Sequence, residues 1–181
     1  MKVFCMGLPK TGTTSIGKAF DILGLKHNAA TDSTLAIRDI CNGSYKYITE
    51  QINEFEAFED TPYHLIYDWL HYMYPDAKFI LTERLNEQKY LNSLLNESQY
   101  KKESGIHQLK KSAQFGFPYV RNNEEAVIEY YLNHNKTIKE KFENVLTMNF
   151  EKGDSWEKLC SFLDLPIPEV KFPHENKTNE L

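Results

Sequence analysis

The sequence predicts an α/β fold in which a central parallel sheet of about four to five strands lies between two layers of helices. Two observations carry that expectation. Short β-favouring runs, such as "KVFCM" at 2–6 and "KFILT" at 78–82, alternate with longer stretches whose apolar residues recur at helical spacing. The first of these runs also leads directly into "GLPKTGTTS" at 7–15, giving the order strand, glycine loop, helix.

The elements follow in chain order. Lys2 to Met6 is the first strand, and Ile16, Ala19, Phe20 and Leu23 then mark one face of a helix that Gly24 closes. Leu25 to Asn28 reads as a brief second strand. Arg38 to Phe55 reads as helix interrupted near Asn42-Gly43, with a short buried strand from Phe55 to Phe58 ending in Glu59-Asp60. Pro62 suits the first turn of a helix whose Leu65, Ile66, Trp69, Leu70 and Met73 share an apolar face, and Tyr74-Pro75-Asp76 ends it. Lys78 to Thr82 is the clearest buried strand, and Asn86 to Tyr100 the next helix. Asn122 and Glu125, spaced as a capping box, open a helix reaching Phe142. Val145 to Met148 reads as the last strand, after which Asp154 and Glu157 cap a helix carrying Trp156, Leu159, Cys160 and Leu163. No repeat or low-complexity linker divides the chain, so residues 1–181 are expected to form one domain, with a Pro-rich, extended tail from about 166.

Composition narrows the function. A formal net charge of -5 disfavours a nucleic-acid binder, so any anion site must be local. The three cysteines are far apart and lack C-x-x-C spacing, which argues against a disulfide framework or a zinc site. No export signal or membrane-length apolar run is present, and the expected setting is cytoplasmic with no membrane partner.

The opening loop carries the chemistry. Gly7 and Gly12 have the spacing of the nucleotide-triphosphate motif G-x-x-x-x-G-K-[ST], but Thr13 stands where its lysine belongs and the lysine is Lys10, inside the loop. A glycine cradle at a helix N-terminus, hydroxyls at Thr13, Thr14 and Ser15, and one full positive charge make an anion site. The three-layer architecture is therefore of P-loop type. Phosphoryl-transfer enzymes of that type hold magnesium with an Asp at the end of a second buried strand. The matching strand here ends "FILTER", and Arg84 at its tip suits a second anionic group better than a metal. Together the two sites point to a nucleotide with phosphate at two separate places and to no metal.

At these residues the chain resembles the sulfotransferases that use 3'-phosphoadenosine 5'-phosphosulfate (PAPS). The likeness runs from Pro9-Lys10-Thr11-Gly12-Thr13-Thr14 through "YPDAKFILTER" to the closing "WEKLCSFLDLPIPEVKFPHEN", and is nearest to small soluble members of that group. It implies that PAPS is the co-substrate, that desulfated 3'-phosphoadenosine 5'-phosphate (PAP) is the product, and that a small-molecule or glycan hydroxyl or amine is the acceptor. It also implies that Lys10 contacts the 5'-phosphate and the oxygen bridging to sulfur, with the backbone N–H groups of Thr11 to Thr14 holding the 5' end. Arg84 would bind the 3'-phosphate with help from a serine; the family's usual spacing lands on Asn92, with Ser93 one place further and the preferred donor. Lys177, in the returning tail, is a further candidate for the 3'-phosphate.

The acceptor's proton needs a base. Asp60 in "EDTP" resembles a D-x-P of related small sulfotransferases, although it could equally cap the helix after Pro62, with Thr61 as a rival cap. His27 is the second candidate, Glu59 and Glu83 are further ones, and His64 reads as a satisfied structural histidine. Residues 101–121 read as a solvated surface connection whose Phe115, Phe117 and Tyr119 could line the acceptor pocket. Two other classes fit the loop: a P-loop kinase of nucleotides or small molecules, and a nucleotide-binding protein without catalysis.

Overall fold

In the computed structural model, which describes residues 1–28, 31–100 and 105–174, four strands form one parallel sheet. They are β1 (Val3–Cys5), β2 (Ala57–Phe58), β3 (Lys78–Thr82) and β4 (Val145–Met148), in the spatial order β2-β1-β3-β4. Val3 sits opposite both Ala57 and Lys78, and Phe79 opposite Val145. Every residue of β1 is fully buried, as expected of a strand covered on both faces.

The period-two alternation of the strands divides the core. Val3, Cys5, Ile80 and Met148 face α1 (Thr13–Ile22), which contributes Ile16, Ala19 and Phe20. Phe4, Phe58, Phe79 and Leu81 face the opposite layer, built from α2 (Ser33–Cys41), α3 (Lys46–Glu54) and α4 (Tyr67–Met73). Phe4 is the centre of that layer, stacked on Phe58 at 5.0 Å and on Phe79 at 5.8 Å between ring centroids. A third cluster surrounds Leu8 beyond the end of β1. There α5 (Glu87–Tyr100) and α7 (Glu124–Lys141) pack together, with Tyr90 stacked on Tyr131 at 4.2 Å. The remaining helices are α6 (Gly105–Phe115) and α8 (Trp156–Leu163), the latter adding Trp156, Leu159, Cys160 and Leu163 to the α1 face.

Several expectations are corrected. Leu25 to Asn28 is not a strand; it makes a single parallel bridge, His27 to Ala57, because the Lys26 amide turns to the Glu56 carboxylate instead of a neighbouring carbonyl. The helix after Pro62 is a 3₁₀ turn, Tyr63–Leu65, that breaks at Ile66 before α4, and it leaves Met73 exposed. The capping box at Asn122 does not form: Asn122 is left-handed at φ 67° and α7 begins at Glu124. Nor does Asp154 cap α8, whose N-cap is Ser155; Asp154 instead accepts from the Asn149 amide at 2.8 Å and pairs with Lys158.

One helix start went unread: Asp32 caps α2 by accepting from the amides of Thr34 at 2.9 Å and Leu35 at 3.1 Å. Asp32→Ala is expected to cost about 1 kcal/mol through loss of that cap. Urea unfolding would show it as a lower midpoint with unchanged slope.

Candidate active site

The carboxyl ends of β1 and β3 hold the glycine loop between them. The Met6 amide donates to the Ile80 carbonyl at 2.6 Å, carrying the ladder one residue past β1. The Thr11 hydroxyl donates to the Leu8 carbonyl at 2.7 Å and meets the Thr82 hydroxyl at 2.6 Å, which ties the loop to the tip of β3. The Thr11 amide also turns back to Leu8, so Thr11 braces the loop from within. Pro9 precedes Lys10, which is left-handed at φ 77°, and Gly12 follows at φ 105°. A Cβ on Gly12 would stand 2.6 Å from the Phe150 ring, so both the turn and the packing demand glycine there. α1 opens immediately afterwards with Thr13, Thr14 and Ser15, placing the positive end of its dipole at the loop.

Helix α5 supplies the facing wall. Glu97 pairs with the Lys10 ammonium at 3.6 Å, and both side chains are mostly buried. Ser93 lies one turn earlier on the same face of α5 and is buried, whereas Asn92 is exposed and accepts from Gln88 at 3.0 Å. The helix phase therefore turns Ser93 inward and Asn92 outward.

Arg84 stands at the tip of β3, the strand beside β1. Its backbone amide donates to the Tyr131 hydroxyl at 3.1 Å, and its guanidinium lies 3.8 Å from Glu151, while its buried Nε has no partner among the described residues. Arg84 lines an open cavity of about 510 Å³ together with Asn86, Tyr131, Asn135, Asn149 and Lys152; Lys10 is not part of that lining. The tail returns toward the loop. Trp156 Nε1 donates to the Val170 carbonyl at 2.7 Å, and Phe172 packs on Phe150, the ring beside Gly12, at 5.2 Å. His174 follows next to Phe172, and Lys177 lies outside the described residues.

The candidate bases separate by environment. Asp60, left-handed at φ 64°, turns its carboxylate onto its own chain, accepting from the Thr61 amide at 2.7 Å and hydroxyl at 3.2 Å. Glu59, one residue earlier, hydrogen-bonds the Thr13 side chain at the start of α1. Burial, reinforced by the Asp60 charge, raises the Glu59 pKa to about 7, against the opposing pull of Thr13 and of Lys110 on α6. Its Oε2 is buried without a partner among the described residues. His27 is turned inward, with Nδ1 on Asp21 at 3.1 Å; burial lowers its pKa although Asp21 acts the other way. Glu83 is held by Lys139 at 2.7 Å.

His64 differs from its sequence reading. It is fully buried beside Asp60, neither ring nitrogen makes a well-formed hydrogen bond among the described residues, and burial together with nearby His134 lowers its pKa to about 4 against the opposing pull of Asp60. His134, which the sequence reading did not single out, fixes its own Nε2 on the Met6 carbonyl at 2.8 Å. Phe115 and Phe117 stack on each other at 5.8 Å, half-buried against the Leu8 cluster, and Tyr119 is exposed. The stretch read as a surface connection contains α6, whose Lys111 and Gln114 are buried.

Sheet order, flanking helices and a lysine-bearing glycine loop at the first strand tip define a three-layer α/β/α protein with its candidate site at the carboxyl edge of the sheet. The profile of the sulfotransferase domain matches residues 2–181, and the chain belongs to that family. It is similar to Ava biosynthesis cluster protein M of Aspergillus versicolor, with 26% identity over 209 residues covering 96% of this chain and 80% of that protein. Family membership supports a sulfotransferase-type activity, in line with the resemblance seen in the loop and strand tip. Among the described residues, no helix is long and apolar enough to cross a membrane.

Proposed function

We propose that the protein transfers the sulfuryl group of PAPS to a hydroxyl or amine of a small-molecule or glycan acceptor. One observation carries the reading: Lys10 and Glu59 approach the same helix terminus, Lys10 through the loop that opens α1 and Glu59 through its hydrogen bond to Thr13. A charge-stabilising lysine and a proton acceptor thus converge on one anion-binding turn.

The residues fit the nucleotide. The left-handed turn at Lys10 and Gly12 leads straight into the start of α1, a helix terminus suited to a 5'-phosphate, and the buried Nε of Arg84, without a partner among the described residues, is a donor suited to the 3'-phosphate. Bound PAPS supplies the S–O bond that breaks. The Lys10 ammonium stabilises charge developing on the departing 5'-phosphate, and the α1 terminus adds to it. Glu59 receives the acceptor's proton; with a pKa raised to about 7, it is a better matched base near neutrality than an ordinary carboxylate. Ser93 is the inward-facing hydroxyl of α5, and Lys10 must leave Glu97 to meet the ligand. The unpaired Cys5, Cys41 and Cys160 support a reducing, cytoplasmic setting.

Isothermal titration tests the donor. PAP is expected to bind and ATP with magnesium not to. Arg84→Ala is expected to weaken PAP by roughly 10- to 100-fold, the worth of a charge-assisted hydrogen bond. Equal affinity of Arg84→Ala and the parent chain for PAP would remove Arg84 from the site.

A further inference from the structure

Two buried atoms without a partner among the described residues, His27 Nε2 and Glu59 Oε2, belong to side chains that meet at Gly17 of α1. Both side chains pack over Gly17. A Cβ at that position would stand 2.7 Å from His27 Cε1, 3.2 Å from His27 Nε2 and 3.4 Å from Glu59 Cγ. Only a hydrogen at position 17 lets the His27 ring pack this close to α1. The strand register explains the meeting: His27 bridges Ala57, and Glu59, two residues further along, points to the same side as Ala57.

The state of the ring follows from its other nitrogen. Nδ1 lies 3.1 Å from Asp21 Oδ1, and a carboxylate only accepts, so Nδ1 carries the hydrogen and Nε2 of the neutral ring presents a lone pair. The His27 side chain is 4% exposed and cannot itself meet an acceptor molecule, whereas Asp21 is half exposed. His27 therefore acts, if it acts in the reaction, through Glu59.

We propose that Asp21 and His27 are a positioning pair for Glu59: the Nε2 lone pair, reached across Gly17 through one bridging water, holds the carboxyl in the orientation that receives the acceptor's proton. This rests on Glu59 as the base. As the acceptor oxygen bonds to sulfur, the S–O bond to the 5'-phosphate breaks and PAP leaves with its electron pair, while the acceptor's O–H bond breaks and the proton goes to Glu59. The neutral carboxyl then donates to the water, and the water donates to Nε2. Asp21 keeps the ring in the tautomer that accepts. No second proton moves, and the ring stays neutral.

The coupling is readable without turnover. Carboxyl ¹³C NMR of the glutamate-labelled protein, with Glu59→Gln assigning the resonance, gives the titration midpoint of Glu59. The groups facing the pair are Asp60, Thr13, Lys110, Cys5 of β1 and Tyr63 around Glu59, and Asp21 and Lys18 around His27. All are retained in His27→Phe, which fills the same space without a lone pair. The midpoint is expected to fall by about half a unit to one unit, since an acceptor for the neutral carboxyl is lost. His27→Gln, whose amide oxygen accepts, should return it toward the parent value. Asp21→Ala frees the tautomer and should move the midpoint the same way, by less. An unchanged or raised midpoint in His27→Phe overturns the proposal, because His27 then only packs; should that variant not fold, an unchanged midpoint in the surface variant Asp21→Ala does the same. PAP titration of the parent chain is the separate control: its failure would sink the nucleotide reading and leave the carboxyl titration untouched.

Discussion

Replacing Lys10 with alanine is expected to lower PAPS turnover by about 10²- to 10³-fold, the loss typical of removing one donor from a site where charge develops in the transition state. The position has a second property that complicates the experiment. Lys10 is left-handed at φ 77°, a conformation that costs a residue with a Cβ about 1–2 kcal/mol. Alanine keeps that strain and glycine removes it. Lys10→Gly should therefore match Lys10→Ala in lost turnover but be the more stable of the two in thermal unfolding, which separates the ammonium's role from the shape of the loop. Both variants also remove the ion pair that Lys10 makes with Glu97 at 3.6 Å. PAP affinity should also fall, by the loss of an attractive charge. Conversion of PAPS to PAP, followed by chromatography with a mixed panel of phenols and amines, measures the rate. Retained turnover in both variants would remove Lys10 from the chemistry.

The parts of this arrangement that the sequence discloses are those in which a single residue type answers a single local demand. β3 was legible to the residue because a strand buried on both faces is one continuous apolar run, β4 because its short β-favouring run stands between two helices, and the loop because glycine and lysine stand at fixed offsets. Helix α6 was not. Its inward residues include Lys111 and Gln114 while Ile106 and Leu109 face outward, so its hydrophobic period contradicts its burial. The choice between Asn92 and Ser93 depended on the phase of α5, which is fixed by the packing of its Tyr90, Leu91 and Leu94 against Leu8, Val127 and Tyr131. Glu59 and Asp60 are neighbours of the same chemistry. What separates them is a backbone turn at Asp60 that directs one carboxylate onto Thr61 and leaves the other beside Thr13. That distinction is conformational, and adjacent acidic letters do not encode it.

Glu59→Gln should slow turnover and stabilise the fold at once, a combination that a merely structural residue would not show. The rate should fall by about 10²- to 10⁴-fold, the usual contribution of general base catalysis. In the parent chain, turnover should climb as pH rises toward about 7 and then level off as Glu59 ionises; in the variant that limb should vanish. The stability effect has the opposite sense. The ordinary glutamate value of 4.5 is raised in the folded protein to about 7, so between those two values the unfolded chain releases a proton that the folded chain retains. The parent chain's Glu59 term is thus fully favourable below pH 4.5 and is lost as pH rises through about 7. Above that, the buried charge costs about 3 kcal/mol by linkage, and glutamine avoids it in part, for a gain of about 1–3 kcal/mol at pH 8. Thermal unfolding of both proteins at pH 4 and pH 8 should show near-equal midpoints at the lower pH and a higher midpoint for the variant at the upper. Asp60→Asn provides the contrast, since it should leave the limb near pH 7 in place, displaced downward by loss of the neighbouring charge. If the limb survives in Glu59→Gln and disappears in Asp60→Asn, the proton goes to Asp60, and the turn that directs its carboxylate onto Thr61 must open during catalysis.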